Sequence, residues 1–384
     1  MKKIRIGVIG IGVFGINHAH HLYGGKVKDA VLGAVCDTSP ERLEYAQKNF
    51  PEVPRYDNAQ ALMTSGDVDA IIIATPHYDH PPLTMAGFDN GLHVLCEKPQ
   101  AVYTKAAREM NEKYNQKLEE FPGLVFGIMY NQRTNPAYRK MREIIQSGEL
   151  GNVRRSNWII TTWYRPQAYY DSGDWRATWS GEGGGVLINQ CPHNLDLWQW
   201  IVGMPTKITA HCHEGKWHDI EVEDDVTAYV EYADGSSGVF ITSTGDVPGS
   251  NRFEITGDNG KLICEDNKIT FYKLKVSEPE WTKTNDKSFG SPEYDVLEIE
   301  HEGTWPDHPA VIEAFGAKIL GKGDLIADGR EGINGLSISN AMHLSSWTGK
   351  TVSLPVDENA YHGELMKRVK TSRRKETGVS ILAE

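Results

Sequence analysis

A glycine-rich turn directly after a short apolar run constrains the fold of this chain more than any other feature. The run Ile4–Ile9 is rich in β-branched residues, as is typical of a buried parallel strand, and the turn after it reads Gly10-Ile11-Gly12-Val13-Phe14-Gly15. The first glycine allows a tight turn, the second lets the backbone approach a pyrophosphate, and the third lets a helix beginning at about Ile16 pack closely on the strand. The helix N-terminus offers N–H groups and a positive dipole end to phosphates. The segment therefore predicts a dinucleotide-binding unit.

An acidic residue follows at the spacing that such a unit requires. Asp37 comes directly after the second apolar run, Ala30–Cys36, and lies 22 residues after Gly15. Its carboxylate can accept hydrogen bonds from the ribose hydroxyls of NAD, and it would repel the 2′-phosphate of NADP. Arg42 lies nearby and could instead accept that phosphate. The sequence favours NAD as the cofactor, with NADP as the less favoured alternative.

Strand and helix signals alternate through the first third of the chain. Further apolar runs lie at Val68–Ala74 and His93–Cys96, Ser39-Pro40-Glu41 is a typical helix start, and a helix around Leu83–Asn90 ends at a glycine. This alternation predicts a parallel sheet with helices on both faces. We therefore expect an α/β fold in which residues 1–125 form a Rossmann domain, that is, a doubly wound parallel sheet.

The pattern changes after about residue 125. Val226–Tyr232 and Ser237–Thr244 flank the turn Ala233-Asp234-Gly235-Ser236, and a second glycine-containing turn joins two further strand-like runs. Both pairs are predicted hairpins, and consecutive hairpins build an antiparallel sheet with one face free for helices or for another subunit. We expect residues 126–384 to form an α+β domain that binds the substrate and mediates oligomerisation.

Composition and charge indicate which kinds of partner the protein binds and in which compartment it works. The 384 residues carry a net charge of −12, which repels a nucleic-acid backbone, and the sequence has no apolar run of about 18 residues for a membrane-spanning helix. The N-terminal residues do not resemble a secretory signal, and the five cysteines are scattered without a CxxC pair. We expect a cytoplasmic protein that binds neither nucleic acid nor membranes.

Potential metal ligands gather in one short segment: His211, Cys212, His213, His218 and Asp219. The first and third would share a face of a strand. Neither a CxxC nor an HExxH frame supports a metal site, so we expect no metal. His301 and His308, on either side of Trp305, could line a loop that reaches the substrate, but the sequence assigns them no role.

A second motif, Glu97-Lys98-Pro99, follows the predicted strand His93–Cys96. In this position it resembles the signature of the glucose–fructose oxidoreductase, inositol dehydrogenase and MocA family (the Gfo/Idh/MocA family). Further segments resemble motifs of that family in the same order along the chain: Thr75-Pro76-His77 with His80, Asn131-Gln132-Arg133, Trp175-Arg176, Gly183-Gly184-Gly185, the stretch 189–196 (NQCPHNLD), Trp347-Thr348-Gly349-Lys350 and Leu354-Pro355. The resemblance covers nearly the whole chain.

The resemblance implies a Rossmann domain and a second domain with a large open, mostly antiparallel sheet, which usually mediates dimers or tetramers. We therefore expect a homodimer or homotetramer and a small-molecule sugar or polyol substrate. The peptide bond before Pro99 is often cis in this family. Together with the glycine turn, the resemblance predicts these cofactor-binding residues: Gly10, Gly12, Val13, Phe14, Gly15, Asp37, Thr75, Pro76, His80, Glu97 and Lys98.

Oxidation of a secondary alcohol needs a hydride acceptor over the carbon and a base at the hydroxyl. The resemblance puts Lys98 at that hydroxyl, where an ammonium can hold the oxygen and, if burial lowers its pKa, take the proton. In the family, the histidine that matches His193 shares this proton, and an imidazole titrates near neutral pH. We therefore expect Lys98 and His193 to be the catalytic residues.

The chain departs from the common family pattern four residues before His193. Many members have an aspartate there, whereas this chain has Asn189, whose amide neither accepts a proton nor carries charge at neutral pH. The general-base role therefore moves to His193 or Lys98. Asn189 could hold a substrate hydroxyl or orient Lys98. Asp196, the nearest acid, could contact the substrate or hydrogen-bond within its own helix.

Two further residues, Trp175 and Arg176, resemble family residues that line the nicotinamide and substrate cleft. Six tryptophans fall between residues 158 and 200, and flat aromatic faces stack on sugar rings, although each of them alone is better explained by core packing. The predicted substrate-binding residues are therefore Trp175, Arg176, Asn189 and Asp196.

The predicted function is NAD-dependent oxidation, or the reverse reduction, at a secondary hydroxyl of a sugar, glycoside or inositol-type polyol. Two alternatives stay open at this point. A glycoside-cleaving enzyme could keep NAD bound and oxidise its substrate transiently before elimination and re-reduction. A sensor could bind NAD without catalysis, although the presence of Lys98 and His193 argues against it. Net formation of NADH separates the predicted function from cleavage.

Overall fold

The computed structural model describes residues 3–373. Six parallel strands form its first sheet: β1 (Ile4–Ile9), β2 (Ala30–Cys36), β3 (Arg55–Tyr56), β4 (Ala70–Ile73), β5 (His93–Cys96) and β6 (Phe126–Ile128). Their spatial order is β3-β2-β1-β4-β5-β6. This is the doubly wound order, in which the direction of winding reverses between β1 and β4 and leaves a crevice at the carboxyl ends of the strands. The predicted Rossmann domain is confirmed.

Five helices pack on the two faces of this sheet: α1 (Val13–Tyr23), α2 (Pro40–Asn49), α3 (Ala59–Thr64), α4 (His80–Asp89) and α5 (Thr104–Glu120). Each strand is apolar on both sides because both faces are covered. Along β4, for example, Ile71 and Ile73 belong to one core and Ile72 to the core on the opposite face. The helix α1 begins at Val13, three residues earlier than expected, so the glycine turn itself forms its first turn.

Nine strands form the second sheet: β7 (Val153–Ile160), β8 (Lys207–Glu214), β9 (Glu223–Glu231), β10 (Ser237–Ser243), β11 (Asn251–Gly257), β12 (Gly260–Glu265), β13 (Lys268–Leu274), β14 (Tyr294–Ile299) and β15 (Val352–Ser353). Their order is β14-β13-β12-β11-β7-β10-β9-β8-β15, and every neighbouring pair is antiparallel except β7 with β10. The predicted large, mostly antiparallel sheet is confirmed.

Seven further helices follow in the described chain: α6 (Pro136–Gln146), α7 (Gln167–Asp171), α8 (Pro192–Val202), α9 (Glu278–Thr284), α10 (Asp307–Ile319), α11 (Gly332–Thr348) and α12 (Glu358–Thr371). One sheet face carries the largest core, in which the Trp158 ring stacks on Phe253 at 4.3 Å between centroids. The alternate residues, such as Ile159 and Tyr229, are exposed on the other face. Period-two burial therefore leaves one face of this sheet open to solvent in the single chain.

Two elements from beyond residue 125 join the first domain. The strand β6 completes the parallel sheet, and α10 packs Val311, Ile312 and Phe315 into the core that also holds α1. The division at residue 125 stays a prediction, but the return of α10 has a consequence for the site because it brings His308 beside the glycine turn. Across residues 3–373, each helix is too short or too polar to cross a bilayer.

Candidate active site

The glycine turn lies at the carboxyl edge of the first sheet, between β1 and α1. A Cβ on Gly10 would lie 2.8 Å from the main chain of Ala74, and one on Gly15 would lie 1.8 Å from the carbonyl oxygen of Gly10. In the described chain, no side chain caps the first turn of α1, so its N–H groups are open to an outside acceptor. Val13 and Phe14 are exposed at its tip. A turn of this shape fits a pyrophosphate, because only glycine leaves room for the close approach.

Asp37 is held beside the turn by main-chain groups. Its Oδ2 accepts a hydrogen bond from the Ile11 N–H at 2.9 Å, and its Oδ1 accepts one from the Ser39 N–H at 2.9 Å. The Arg42 guanidinium lies 3.3 Å from the same carboxylate and 3.5 Å from the position of a Cβ on Gly12. The adenosine end of the crevice therefore presents a carboxylate and a guanidinium side by side.

The loop after β4 meets the loop after β5 through His80. This buried ring lies between two carbonyl oxygens, with Nδ1 2.7 Å from that of Pro99 and Nε2 2.8 Å from that of Thr75. His80 therefore acts on a cofactor through the loops that it joins, because neither ring nitrogen is open. The Thr75 hydroxyl is buried and has no hydrogen-bond partner among the described residues, whereas Pro76 is exposed. The peptide bond before Pro99 is cis.

A buried hydrogen bond that the sequence analysis missed holds Glu97 in place. His18, on the buried side of α1, donates from Nε2 to Glu97 Oε1 at 2.7 Å, and both residues are buried. Burial alone would raise the pKa of Glu97, but the hydrogen bond and charge of His18 lower it to about 2. Glu97 is therefore an anion fixed beneath the cleft. A single histidine on a helix gives no pattern from which this pair could be predicted.

The two histidines whose role the sequence left open, His301 and His308, contact different parts of the chain. The His308 ring lies 5.5 Å from that of His18 and 6.0 Å from that of Phe14. Burial would lower the pKa of His308, but its 2.7 Å contact with Asp307 raises it overall. His301 instead lies 2.7 Å from the Asn267 carbonyl oxygen. Only His308 therefore adjoins the site.

Lys98 reaches from the first domain into the second. Its Nζ donates a hydrogen bond to the carbonyl oxygen of Asn189, 91 residues further along the chain, at 2.9 Å. The same ammonium lies 5.7 Å from the centre of the Phe14 ring. Burial lowers the pKa of Lys98, and the nearby Arg176 adds to this effect, against the opposing charge of Glu97. The lysine is thus fixed between the glycine turn and the segment that carries His193.

A buried acid that the sequence analysis missed, Glu182, contacts Asn189. The side-chain amide of Asn189 donates to Glu182 Oε1, and the other carboxylate oxygen accepts from the Ala177 N–H at 2.7 Å. Burial raises the pKa of Glu182, although Arg176 opposes the shift. A buried carboxylate, seven residues earlier in the chain, is therefore the hydrogen-bond partner of the Asn189 amide. Sequence spacing gave no sign of Glu182 because it belongs to an irregular segment.

His193 lies in the first turn of α8, which begins at Pro192. The proline therefore starts the helix and does not kink it. The imidazole is buried, and its Nδ1 has no hydrogen-bond partner in the described part of the chain. Burial and the charge of Lys98 lower the pKa of His193 to about 3, so the ring is neutral at pH 7. Its Nδ1 is therefore a buried nitrogen without a hydrogen-bond partner in the described chain.

Trp175 and Arg176 join the same wall of the cleft. The Arg176 guanidinium lies 4.7 Å from the Trp175 ring and 4.6 Å from the Tyr169 ring, and it donates to the Tyr169 hydroxyl at 2.8 Å. It also lies 3.9 Å from Glu182 Oε1. Residues predicted separately to line the substrate cleft therefore form one cluster, to which the structure adds Tyr169 and Glu182.

Asp196 does not belong to this cluster. Both of its oxygens accept from the buried Arg133 guanidinium, at 2.6 and 2.8 Å, and Gln199 adds a further hydrogen bond at 3.0 Å. Its carboxylate is therefore saturated by protein donors and unavailable to a substrate. The structure favours the structural role that the sequence had left open for Asp196, because a buried carboxylate requires such a partner.

The histidines near β8 do not gather around a common centre. His218 Nδ1 lies 2.9 Å from Asp224, while His211 and His213 are exposed. Within residues 3–373, the structure contains no group of three side chains that could hold a metal ion.

Two protein-family models match this chain. The model described as an oxidoreductase family with an NAD-binding Rossmann fold matches residues 4–119, and the model of the GFO/IDH/MocA C-terminal domain matches residues 138–263. The chain belongs to the Gfo/Idh/MocA family. This family member is therefore an oxidoreductase with a Rossmann domain of the NAD-binding type.

Several relatives are similar to this Gfo/Idh/MocA protein over most of their length. The D-glucoside 3-dehydrogenase of Escherichia coli K12 is 24% identical over 374 residues, which are 92% of this chain and 98% of that protein. The 1,5-anhydro-D-fructose reductase of Ensifer adhaerens is 26% identical over 303 residues, which are 77% and 83%. The structure of the WlbA dehydrogenase from Chromobacterium violaceum, in complex with NADH and UDP-GlcNAcA, is 25% identical with a TM-score of 0.78 and covers 93% of this chain and 97% of that one.

Proposed function

We propose that this protein oxidises a secondary hydroxyl of a sugar, glycoside or inositol-type polyol with NAD, or catalyses the reverse reduction. One observation carries the proposal. The Lys98 ammonium, bound to the carbonyl oxygen of Asn189, lies close enough to His193 to lower its pKa, and the Nδ1 of His193 has no hydrogen-bond partner in the described chain. This is the pair of groups that a reacting hydroxyl needs next to a hydride acceptor.

The pKa shifts of Lys98 and His193 indicate which of the two is the general base. A histidine with a pKa of about 3 is a weak base at pH 7, so His193 would hold the hydroxyl as a hydrogen-bond partner and orient it. Burial lowers the pKa of Lys98, which increases the fraction of neutral amine able to take the hydroxyl proton. We therefore assign the general-base role to Lys98. When NAD is bound, it supplies the acceptor for the hydride.

NAD is proposed over NADP because of Asp37. Main-chain N–H groups fix its carboxylate at the adenosine end, where it can accept hydrogen bonds from the two ribose hydroxyls. Arg42 is already paired with this carboxylate, so a 2′-phosphate would have to displace that contact next to a negative charge. The phosphates would rest on the N–H groups of α1, next to Gly12 and Gly15.

The substrate class is supported by the names of the relatives. These include a D-glucoside 3-dehydrogenase, an inositol 2-dehydrogenase of Corynebacterium glutamicum and a reductase of 1,5-anhydro-D-fructose. All three names describe redox chemistry at a carbon of a polyhydroxylated ring. The aromatic and polar wall around Trp175, Tyr169 and Arg176 suits such a ring, which offers C–H faces to aromatic groups and hydroxyls to charged groups.

A panel of sugars, glycosides and inositols with NAD, followed by the absorbance of NADH, tests the proposal. We expect net NADH from at least one member of the panel, and a lower rate with NADP. Release of free sugar or aglycone without net NADH would instead identify redox-neutral cleavage. NAD binding without turnover of any compound in either direction would indicate a sensor. Each of these last two results contradicts the proposal.

We further propose that the protein forms a homodimer or homotetramer through the open face of the second sheet. Ile159 and Tyr229 are 38% and 46% exposed on this face of the single chain, which is unusual for large apolar side chains at the centre of a sheet. Light scattering after size exclusion should give a mass of two or four times 42.9 kDa. A mass of one chain, or an oligomer unaffected by Ile159→Lys, would contradict this assembly.

A further inference from the structure

The substrate wall of the cleft holds more positive than negative charge. Lys98, Arg165 and Arg176 carry cationic groups there, and the guanidinium groups of both arginines lie over the ring of Tyr169, at 5.1 Å for Arg165 and 4.6 Å for Arg176. Glu182 is the acid that faces this wall, and it lies 3.9 Å from Arg176. Glu97 also acts on Lys98, but its carboxylate is bound to His18 on the cofactor side. The wall therefore has a cationic excess on a chain whose net charge is −12.

Arg165 is the unbalanced member of this group. Its Nη1 donates to the carbonyl oxygen of Tyr164 at 2.9 Å, and its guanidinium lies 6.0 Å from the Trp163 ring. Within residues 3–373, it forms no ion pair with a carboxylate, whereas Arg176 lies beside Glu182. This half-buried guanidinium contacts aromatic rings, the Tyr169 hydroxyl and a carbonyl oxygen, which together leave some of its five N–H donors open.

The segment that carries Arg165 is fixed to the catalytic helix. Trp163 Nε1 donates to Asn194 Oδ1 at 3.2 Å, and Asn194 is the residue after His193. The N–H of Arg165 itself donates to the carbonyl oxygen of Thr244 at 3.0 Å. These two anchors on either side of Tyr164 fix the backbone that carries Arg165, and the rings of Trp163 and Tyr169 pack against its guanidinium. Arg165 is thus positioned before any substrate binds, which lowers the entropy cost of using it.

We propose that the substrate carries a carboxylate or a phosphate group and that Arg165 binds this group. The inference rests on the proposed function, because it places the anion on the same sugar or polyol that is oxidised. A guanidinium binds either group with two parallel hydrogen bonds, and the surrounding aromatic rings exclude water from them. Arg176, which Glu182 partly neutralises, would assist in attracting the anion. A local cationic wall of this kind also offsets the repulsion that the net negative charge imposes on an acidic substrate.

Matched pairs of ligands test the proposal on the NAD-loaded full-length protein. The pairs are methyl β-D-glucuronide with methyl β-D-glucoside, methyl β-D-galacturonide with methyl β-D-galactoside, and glucose 6-phosphate with glucose. Within each pair the acid differs from the neutral compound only at the sixth carbon, so the pairs separate a carboxylate from a phosphate. Dissociation constants are measured by calorimetry, and kcat/KM is measured by NADH formation. We expect the acid of at least one pair to bind about tenfold to a hundredfold more tightly than its partner.

Variants at Arg165 then assign the preference to this residue. Arg165→Met should remove the preference for the acid and change the dissociation constant of the neutral partner by less than about twofold, while Arg165→Lys should keep part of it. Arg139→Met, at an exposed position of α6, is the matched control and should change neither value. Unaltered NAD affinity in all three variants shows that each protein is folded.

The outcomes distinguish this inference from the proposed function. If no acid binds more tightly than its partner, including the case in which neither binds, the inference is overturned. The same holds if Arg165→Met keeps the preference. If neutral compounds yield NADH and acids show no advantage, the inference fails while the proposed function stands. If the acids bind through Arg165 but none of the compounds reduces NAD, the proposed oxidation fails instead.

Discussion

The two ends of the cleft differ in the way the chain builds them. The cofactor end, comprising the glycine turn and Asp37, uses main-chain groups and one carboxylate from a single βαβ unit. The substrate end, comprising Lys98, Glu182, Asn189 and His193, joins side chains from both domains. The first is determined by local backbone geometry, and the second exists only after the domains have packed. Substitutions at one end should therefore leave the other intact.

The largest effect is expected at the substrate end, from Lys98→Met. Loss of the amine removes the proposed base and the cation that stabilises a developing alkoxide, so kcat should fall about 10³- to 10⁴-fold. The dissociation constant of NAD should change less than about threefold, because the turn and Asp37 are untouched. Steady-state rates and NAD titration measure the two quantities. Retention of a tenth of the wild-type kcat would contradict the role given to Lys98.

At the cofactor end, Asp37→Ala should show the reverse pattern. Removal of the carboxylate deletes the ribose hydrogen bonds and frees Arg42 for a 2′-phosphate. We expect NAD to bind about tenfold to a hundredfold more weakly and NADP to bind more tightly, with kcat at saturation nearly unchanged. Asp57→Ala, at an exposed position, is the control. If the wild-type protein already binds NADP more tightly than NAD, the interpretation of Asp37 is wrong.

The cofactor end and the substrate end also differ in how much of each could be predicted from the sequence. The turn, the parallel sheet and Asp37 could be predicted because glycine positions and strand spacing act within about 40 residues, and Glu97-Lys98-Pro99 and His193 were found through a family resemblance. The sequence could not indicate His18 or Glu182. His18 acts through a contact with Glu97, 79 residues away, and Glu182 lies in an irregular segment, so neither leaves a periodic pattern. Asp196 was assigned two possible roles because its partner, Arg133, lies 63 residues away.

A smaller effect is expected from restoring the common family residue with Asn189→Asp. The new carboxylate would lie against that of Glu182, and two such groups in a buried site cannot both ionise without cost. We expect kcat/KM to fall about tenfold. The double variant Asn189→Asp with Glu182→Gln exchanges the acid and the amide, and it should recover most of the loss. An equal loss of kcat/KM in the single and double variants would show that the acid and the amide cannot exchange positions.

The smallest effect is expected in the dependence of kcat/KM on pH. Because burial lowers the pKa of Lys98 below its usual value of 10.5, the neutral amine becomes more abundant as the pH rises through the lowered pKa. For oxidation, kcat/KM should therefore rise with pH by at most about tenfold per unit and then level off below pH 10.5. His193 should add no acidic limb near pH 6.5, since its pKa is about 3. A limb near 6.5 that disappears in His193→Asn would contradict the neutral imidazole.

Direct transfer of hydride from a substrate carbon to NAD is the central claim, and isotope tracing tests it most directly. A compound that yields NADH in the panel is prepared with deuterium at all its ring carbons. The reduced cofactor is then isolated, and its mass is measured by mass spectrometry. The account predicts one deuterium in each molecule of reduced NAD and a slower rate than with the unlabelled compound. Reduced NAD without deuterium, or release of a free sugar or aglycone with no reduced NAD, would contradict it.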